Sequence, residues 1–118
     1  MTDKAVKGKD AEEKAAEYLK ELGFTILQTN YRAGKIGEID IITLKDGIIS
    51  FVEVRSGSKN IYGGPAYSIN KRKQGKIRKI ANCYITSAID VNLKNSSFRF
   101  DTILVTSGGM EYIEDCFR

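Results

Sequence analysis

The sequence predicts an α/β fold with a mixed central sheet, its elements following the order α-β-β-β-α-β. Three observations lead there. Stretches 8–22 and 69–86 carry apolar residues at helical spacing, and they bracket three consecutive strand-like runs. The second and third runs meet at Asp46-Gly47, and Asp-Gly between apolar runs is the strongest short hairpin signal. Both faces of these two runs carry apolar residues, so the sheet is expected to be covered on each side.

The first helix, GKDAEEKAAEYLKEL, stops at Gly23. Ala11, Ala15, Tyr18, Leu19 and Leu22 form its apolar stripe. At 100° per residue Glu12 falls on the edge of that stripe and Glu13 on the far side, so the two adjacent glutamates are not equivalent. FTILQTNYR (24–32) is the first strand, 38–45 the second and 48–55 the third, together an antiparallel meander. Residues 56–68 form a Gly- and Ser-rich loop holding the only proline, Pro65. The second helix turns Ile69, Ile77, Ile80, Ala81, Tyr84 and Ile85 inward and crosses over to a strand at 98–105, placing that strand parallel to its neighbour. Residues 110–117 read either as a short edge strand or as a loose tail.

The 118 residues suit a single domain over 1–118, with one ordinary core that needs no metal or disulfide staple. Cys83 and Cys116 stand in unrelated contexts, with no CxxC spacing for a structural zinc. The N-terminus lacks an apolar leader segment and no apolar run approaches the about 20 residues that span a bilayer, so no membrane association is expected and the chain reads as cytoplasmic. Histidine is absent, which removes histidine triads and histidine metal centres. There is no phosphate-binding glycine loop. Chemistry is left to carboxylates, lysine, arginine, hydroxyls and thiols.

The segment GEIDIITLKDGIISFVEVR (37–55) places Glu38, Asp40, Glu53 and Arg55 inside the most apolar part of the chain. Alternation sets Glu38, Asp40, Ile42 and Leu44 on one face of the second strand. Ile49, Phe51, Glu53 and Arg55 share a face of the third. A two-residue turn at Asp46-Gly47 pairs Lys45 with Ile48, and counting back pairs Asp40 with Glu53 and Glu38 with Arg55. Opposed carboxylates on one face repel. Either one holds a proton at a raised pKa, or a cation sits between them. Hard divalent ions favour such oxygen ligands, and magnesium takes one or two carboxylates plus waters. A plain set of strand-end charges, with Glu38 and Arg55 as a cross-strand ion pair, is the competing account.

KRKQGKIRK (71–79) holds six basic residues in nine. It is either a solvated helix face or a phosphate-contacting surface, in which Lys71, Arg72, Lys73, Lys76 and Lys79 neutralise a nucleic-acid backbone without reading bases. Tyr62 and Tyr67 flank the glycine loop and suit either base stacking or the core.

Taken together, Asp40, twelve intervening residues and Glu53-Val54-Arg55 resemble the PD-(D/E)xK nuclease motif. More narrowly the chain resembles the YraN-like family of small bacterial proteins. The matching segments are G-x-x-x-E-x-x-A-A-x-Y-L (Gly8 to Leu19), N-Y-R (30–32), G-E-I-D (37–40), F-V-E-V-R (51–55), Y-G-G (62–64), K-Q (73–74) and R-F-D (99–101). The resemblance covers nearly the whole chain. It implies a restriction-endonuclease-like three-layer core, distantly related to archaeal Holliday junction resolvases, and a DNA endonuclease dependent on Mg²⁺ or Mn²⁺, with branched DNA among its substrates. It implies Glu12, Asp40 and Glu53 as the acids that ligate or organise the metal. Arg55 falls where such enzymes usually carry lysine, and arginine stays charged, which suits charge stabilisation rather than base catalysis. Junction resolvases work as dimers, so the resemblance also allows a homodimer. Two other functions stay open: a catalytically silent nucleic-acid-binding module on the same fold, and a protein-interaction domain.

Overall fold

A computed structural model describes residues 3–56, 70–87 and 96–117, with side chains from Asp10 onward. Tyr62, Tyr67, Ile69 and the glycine loop lie outside the described residues. The elements are α1 (Asp3–Glu21), β1 (Thr25–Ala33), β2 (Gly37–Lys45), β3 (Ile48–Ser56), α2 (Lys71–Ser87), β4 (Ser97–Thr106) and β5 (Gly109–Phe117). The strands form one sheet in the order β1-β2-β3-β4-β5. Among the described residues, only the β3–β4 pairing is parallel, as a helical crossover between them requires. Residues 109–117 are an edge strand rather than a tail, joined to β4 through the turn at 107–108.

Alternation along β3 separates two cores. Phe51 joins Ile42, Ile49, Phe100 and Phe117 beneath Ile77, Ile80 and Ala81 of α2. Val52 joins Ile41 and Ile103 beneath Ala15 and Leu19 of α1, with Phe24. The helices therefore cover opposite faces and the fold has three layers. Among the described residues, no helix is long and apolar enough to cross a membrane.

Leu22, expected on the apolar stripe of α1, is 40% exposed. The helix ends one residue earlier, and Gly23 takes φ +94°. The Phe24 N–H then donates to the Leu19 carbonyl at 3.0 Å and the Gly23 N–H to Lys20 at 3.0 Å. This is the glycine-terminated helix end in which the following residue folds back onto the last turn. Phe24 takes the buried place that spacing alone gave to Leu22. Lys45 donates to the freed Leu22 carbonyl at 2.6 Å.

The β2–β3 turn has φ of +52° at Asp46 and +76° at Gly47, the pair of left-handed residues that matches hairpin twist. The register follows from it: Lys45 faces Ile48, Leu44 faces Ile49, Ile42 faces Phe51 and Ile41 faces Val52. The ladder stops there. Asp40 and Glu53, and Glu38 and Arg55, are not ladder partners as the turn count expected. Instead the Val54 N–H donates to Asp40 Oδ2 at 2.8 Å. A side-chain acceptor has taken the donor that the ladder would have used, and β2 and β3 part at that point. Ile39 also leaves strict alternation and packs with Ile42 against α2.

Candidate functional site

Three acids act on one another's charge where β2 and β3 part. Asp40 comes from β2, Glu53 from β3 and Glu12 from α1. Glu12 is half-buried while Glu13 is exposed, so the helix phase read from the sequence holds. Burial pushes the Asp40 carboxyl up to about 7, the Val54 N–H opposes that rise, and the charges of Glu12 and Glu53 add to it. A raised carboxyl among acids is one of the two remedies that like-charge crowding demands.

The second remedy is at Glu53. Its Oε1 is paired with the Lys73 ammonium from the first turn of α2. Among the described residues its Oε2 is buried without a hydrogen-bond donor, with Arg55 Nε at 3.8 Å. Asp40, Glu53, Lys73 and Asp101 line one cavity of about 230 Å³, floored by Phe51 and Phe100. Glu38 stands at its rim and is exposed. A buried carboxylate oxygen lacking a donor suits a hard cation. Among the described residues, no group of three or more His, Cys, Asp or Glu side chains is placed to hold a metal ion. Two carboxylates with water filling the remaining positions is nevertheless the ordinary way a protein holds magnesium.

Gly37, the first residue of GEID, precedes the site on β2 and lies against α2. Its φ is +145°, and a Cβ there would lie 3.3 Å from Ile80 Cδ1. Glycine lets β2 begin hard against α2 at this level.

Alongside lies the basic face of α2. Asn70 opens the helix, its Oδ1 accepting the Lys73 N–H at 2.9 Å. Lys71, Arg72, Lys73, Lys76 and Lys79 are all exposed and border a shallow concavity of about 600 Å³. The sixth basic residue, Arg78, turns away, with its guanidinium 5.1 Å from the centre of the Phe117 ring. No acid stands in the first turn of α2, so its N-terminal partial charge adds to the side chains and leaves a strongly positive surface.

Asp101 is an acid that sequence reasoning passed over. It is fully buried in β4. Arg99 Nε reaches its two oxygens at 3.0 and 3.1 Å, the Asp115 N–H donates at 2.9 Å, and the Tyr112 hydroxyl donates as well. The β4–β5 register shifts between Phe100 and Thr102, so the carboxylate caps backbone that the ladder leaves unpaired. The signal was in the sequence: an acid inside the apolar run FRFDTILV, the same anomaly as Asp40.

A family model described as "Uncharacterised protein family UPF0102" matches residues 11–105. A UPF0102 protein of Clostridium acetobutylicum is 43% identical, the match covering 95% of this chain and 94% of that protein. One from Persephonella marina is 40% identical, over 95% and 93% of the two chains. One from a Helicobacter pylori strain is 40% identical, over 92% and 89%.

Proposed function

The chain belongs to the UPF0102 family, and from that premise we propose that it is a divalent-metal-dependent endonuclease that hydrolyses phosphodiester bonds in DNA, branched DNA included. The observation that carries this reading is the pair Asp40 and Glu53 on one cavity, with the charge of Glu12 acting on Asp40, beside a basic helix face. The fold, with helices on both faces of a mixed sheet, agrees with a restriction-endonuclease-like core.

In this reading Asp40 and Glu53 hold Mg²⁺ or Mn²⁺, with Glu53 Oε2 as the oxygen that has no hydrogen-bond donor among the described residues. When bound, such an ion polarises the phosphate and lowers the pKa of water. Glu12, close enough for its charge to act on Asp40, organises that carboxylate from α1. Arg55, beside Glu53 Oε2, faces charge that develops on the phosphate. Lys71, Arg72, Lys76 and Lys79 hold backbone phosphates by charge alone. Hydrolysis joins the water oxygen to phosphorus as the ester P–O bond breaks, and a water proton passes to the departing oxygen.

The test is cleavage of a four-way junction or flap by purified protein with Mg²⁺. Wild type cuts and Asp40→Asn does not. Cleavage that survives this substitution unchanged sinks the assigned site. Arg55 favours one second reading, a nucleic-acid-binding module that has lost catalysis. It predicts binding with a steep salt dependence, no cutting, and cutting regained in Arg55→Lys.

A further inference from the structure

The five exposed basic residues of α2 do not share one environment. All five border the basic concavity, but Lys73 is the one that also lines the acidic cavity. Helix phase explains the difference. Lys73 precedes the buried Ile77 by four residues and so stands one turn above it, on the side of α2 that meets the sheet. The Asn70 cap fixes the Lys73 backbone, and the aliphatic stem can run over the edge of the core while the ammonium reaches Glu53 Oε1. By contrast Arg55 Nε stands 3.8 Å from the other oxygen. The closer cation on this carboxylate is a lysine delivered from a different element.

We propose that Lys73 serves as the lysine of this site from α2: its ammonium fixes Glu53 through Oε1, leaves Oε2 for a divalent ion, and offers its remaining N–H bonds to the scissile phosphate. The inference rests on the nuclease reading and deepens it. An ammonium has three donors, and Glu53 Oε1 takes one. The role needs only a fixed charge, with no proton given up. It also removes the need for lysine at position 55. Two cations on one carboxylate repel each other, so Lys73 weakens metal binding at the same site where it assists cleavage.

That opposition gives the test. Lys73→Met, Lys73→Arg and Lys76→Met are compared with wild type as full chains, their folding checked by circular dichroism. Mn²⁺ binding is measured by calorimetry without DNA, then single-turnover cleavage of a junction with Mn²⁺, then binding of the same DNA in Ca²⁺. Lys73→Met is expected to bind Mn²⁺ about tenfold more tightly and to cleave at least about a hundredfold more slowly. Its loss of DNA affinity stays within the few-fold loss of Lys76→Met. Lys73→Arg, which keeps the charge, returns Mn²⁺ affinity toward that of wild type. Unchanged Mn²⁺ affinity in Lys73→Met overturns the assignment whatever the cleavage rate, as does a wild type that binds no Mn²⁺. A wild type that binds Mn²⁺ but cuts nothing overturns the nuclease reading alone, and the Mn²⁺ comparison still decides the place of Lys73.

Discussion

Asp40 makes a prediction that runs against the usual effect of deleting a buried charge. Its carboxyl has an ordinary value of 3.8 and is pushed up to about 7 in the folded protein, by burial first and by Glu12 and Glu53 after. A carboxyl whose pKa rises on folding stabilises the protein fully only below its unfolded value. Stability is then lost as pH climbs from about 4 to about 7, because the unfolded chain releases a proton that the folded one retains. Over pH 5 to 8 the loss is about 2–3 kcal/mol, an upper figure because water reaches part of the group. Asparagine has the same shape, keeps an oxygen for the Val54 N–H and cannot ionise. Asp40→Asn should therefore equal or exceed wild-type stability near pH 8, with the gap narrowing by those 2–3 kcal/mol toward pH 5. The chain has no histidine, so few other groups titrate in this window. Urea unfolding of both proteins at several pH values, with EDTA, reads the effect as a wild-type midpoint falling by about 1–2 M relative to the variant. If the two midpoints move in parallel from pH 5 to 8, Asp40 is not a proton-holding carboxyl and the electrostatic account of the site fails.

Tyr112→Phe removes one donor from the buried Asp101 carboxylate and leaves Arg99 and the Asp115 N–H in place. Denaturant unfolding should show a loss of about 1–3 kcal/mol, and a loss under about 0.5 kcal/mol would mean that the hydroxyl is dispensable. Gly37→Ala imposes a side chain at φ +145° and 3.3 Å from Ile80 Cδ1. It should cost about 1–3 kcal/mol and, by shifting β2 against α2, weaken Mn²⁺ binding in calorimetry. Equal stability and equal metal binding would show that the close approach of β2 to α2 is not needed.

The layer order was legible because it depends on local signals that agree with one another. Asp46-Gly47 fixes a turn, the turn fixes a register, and alternation then separates Phe51 from Val52. Leu22 was misplaced because helical spacing says nothing about where a helix ends. Gly23 was read as the stop, but the fold-back that brings Phe24 onto Leu19 is a property of the glycine's left-handed φ and not of any periodicity.

The break at Asp40 shows where counting from a turn must fail. A register count assumes that each backbone donor goes to the neighbouring strand. Asp40 offers a side-chain acceptor within reach of the Val54 N–H, and the ladder ends where that acceptor wins. The turn count therefore paired Asp40 with Glu53 across a ladder rung, whereas Asp40 accepts from the Val54 N–H and Glu53 pairs with Lys73. Lys73 was hidden for a related reason. In KRKQGKIRK the six cations differ little by composition. They become distinct once Ile77 and Ile80 fix which side of α2 meets the sheet, because a residue four before Ile77 must then overhang the acidic cavity. Ile77 is thus as much a determinant of the site as the lysine itself, since rotating α2 by one residue would carry the ammonium about 100° away from Glu53.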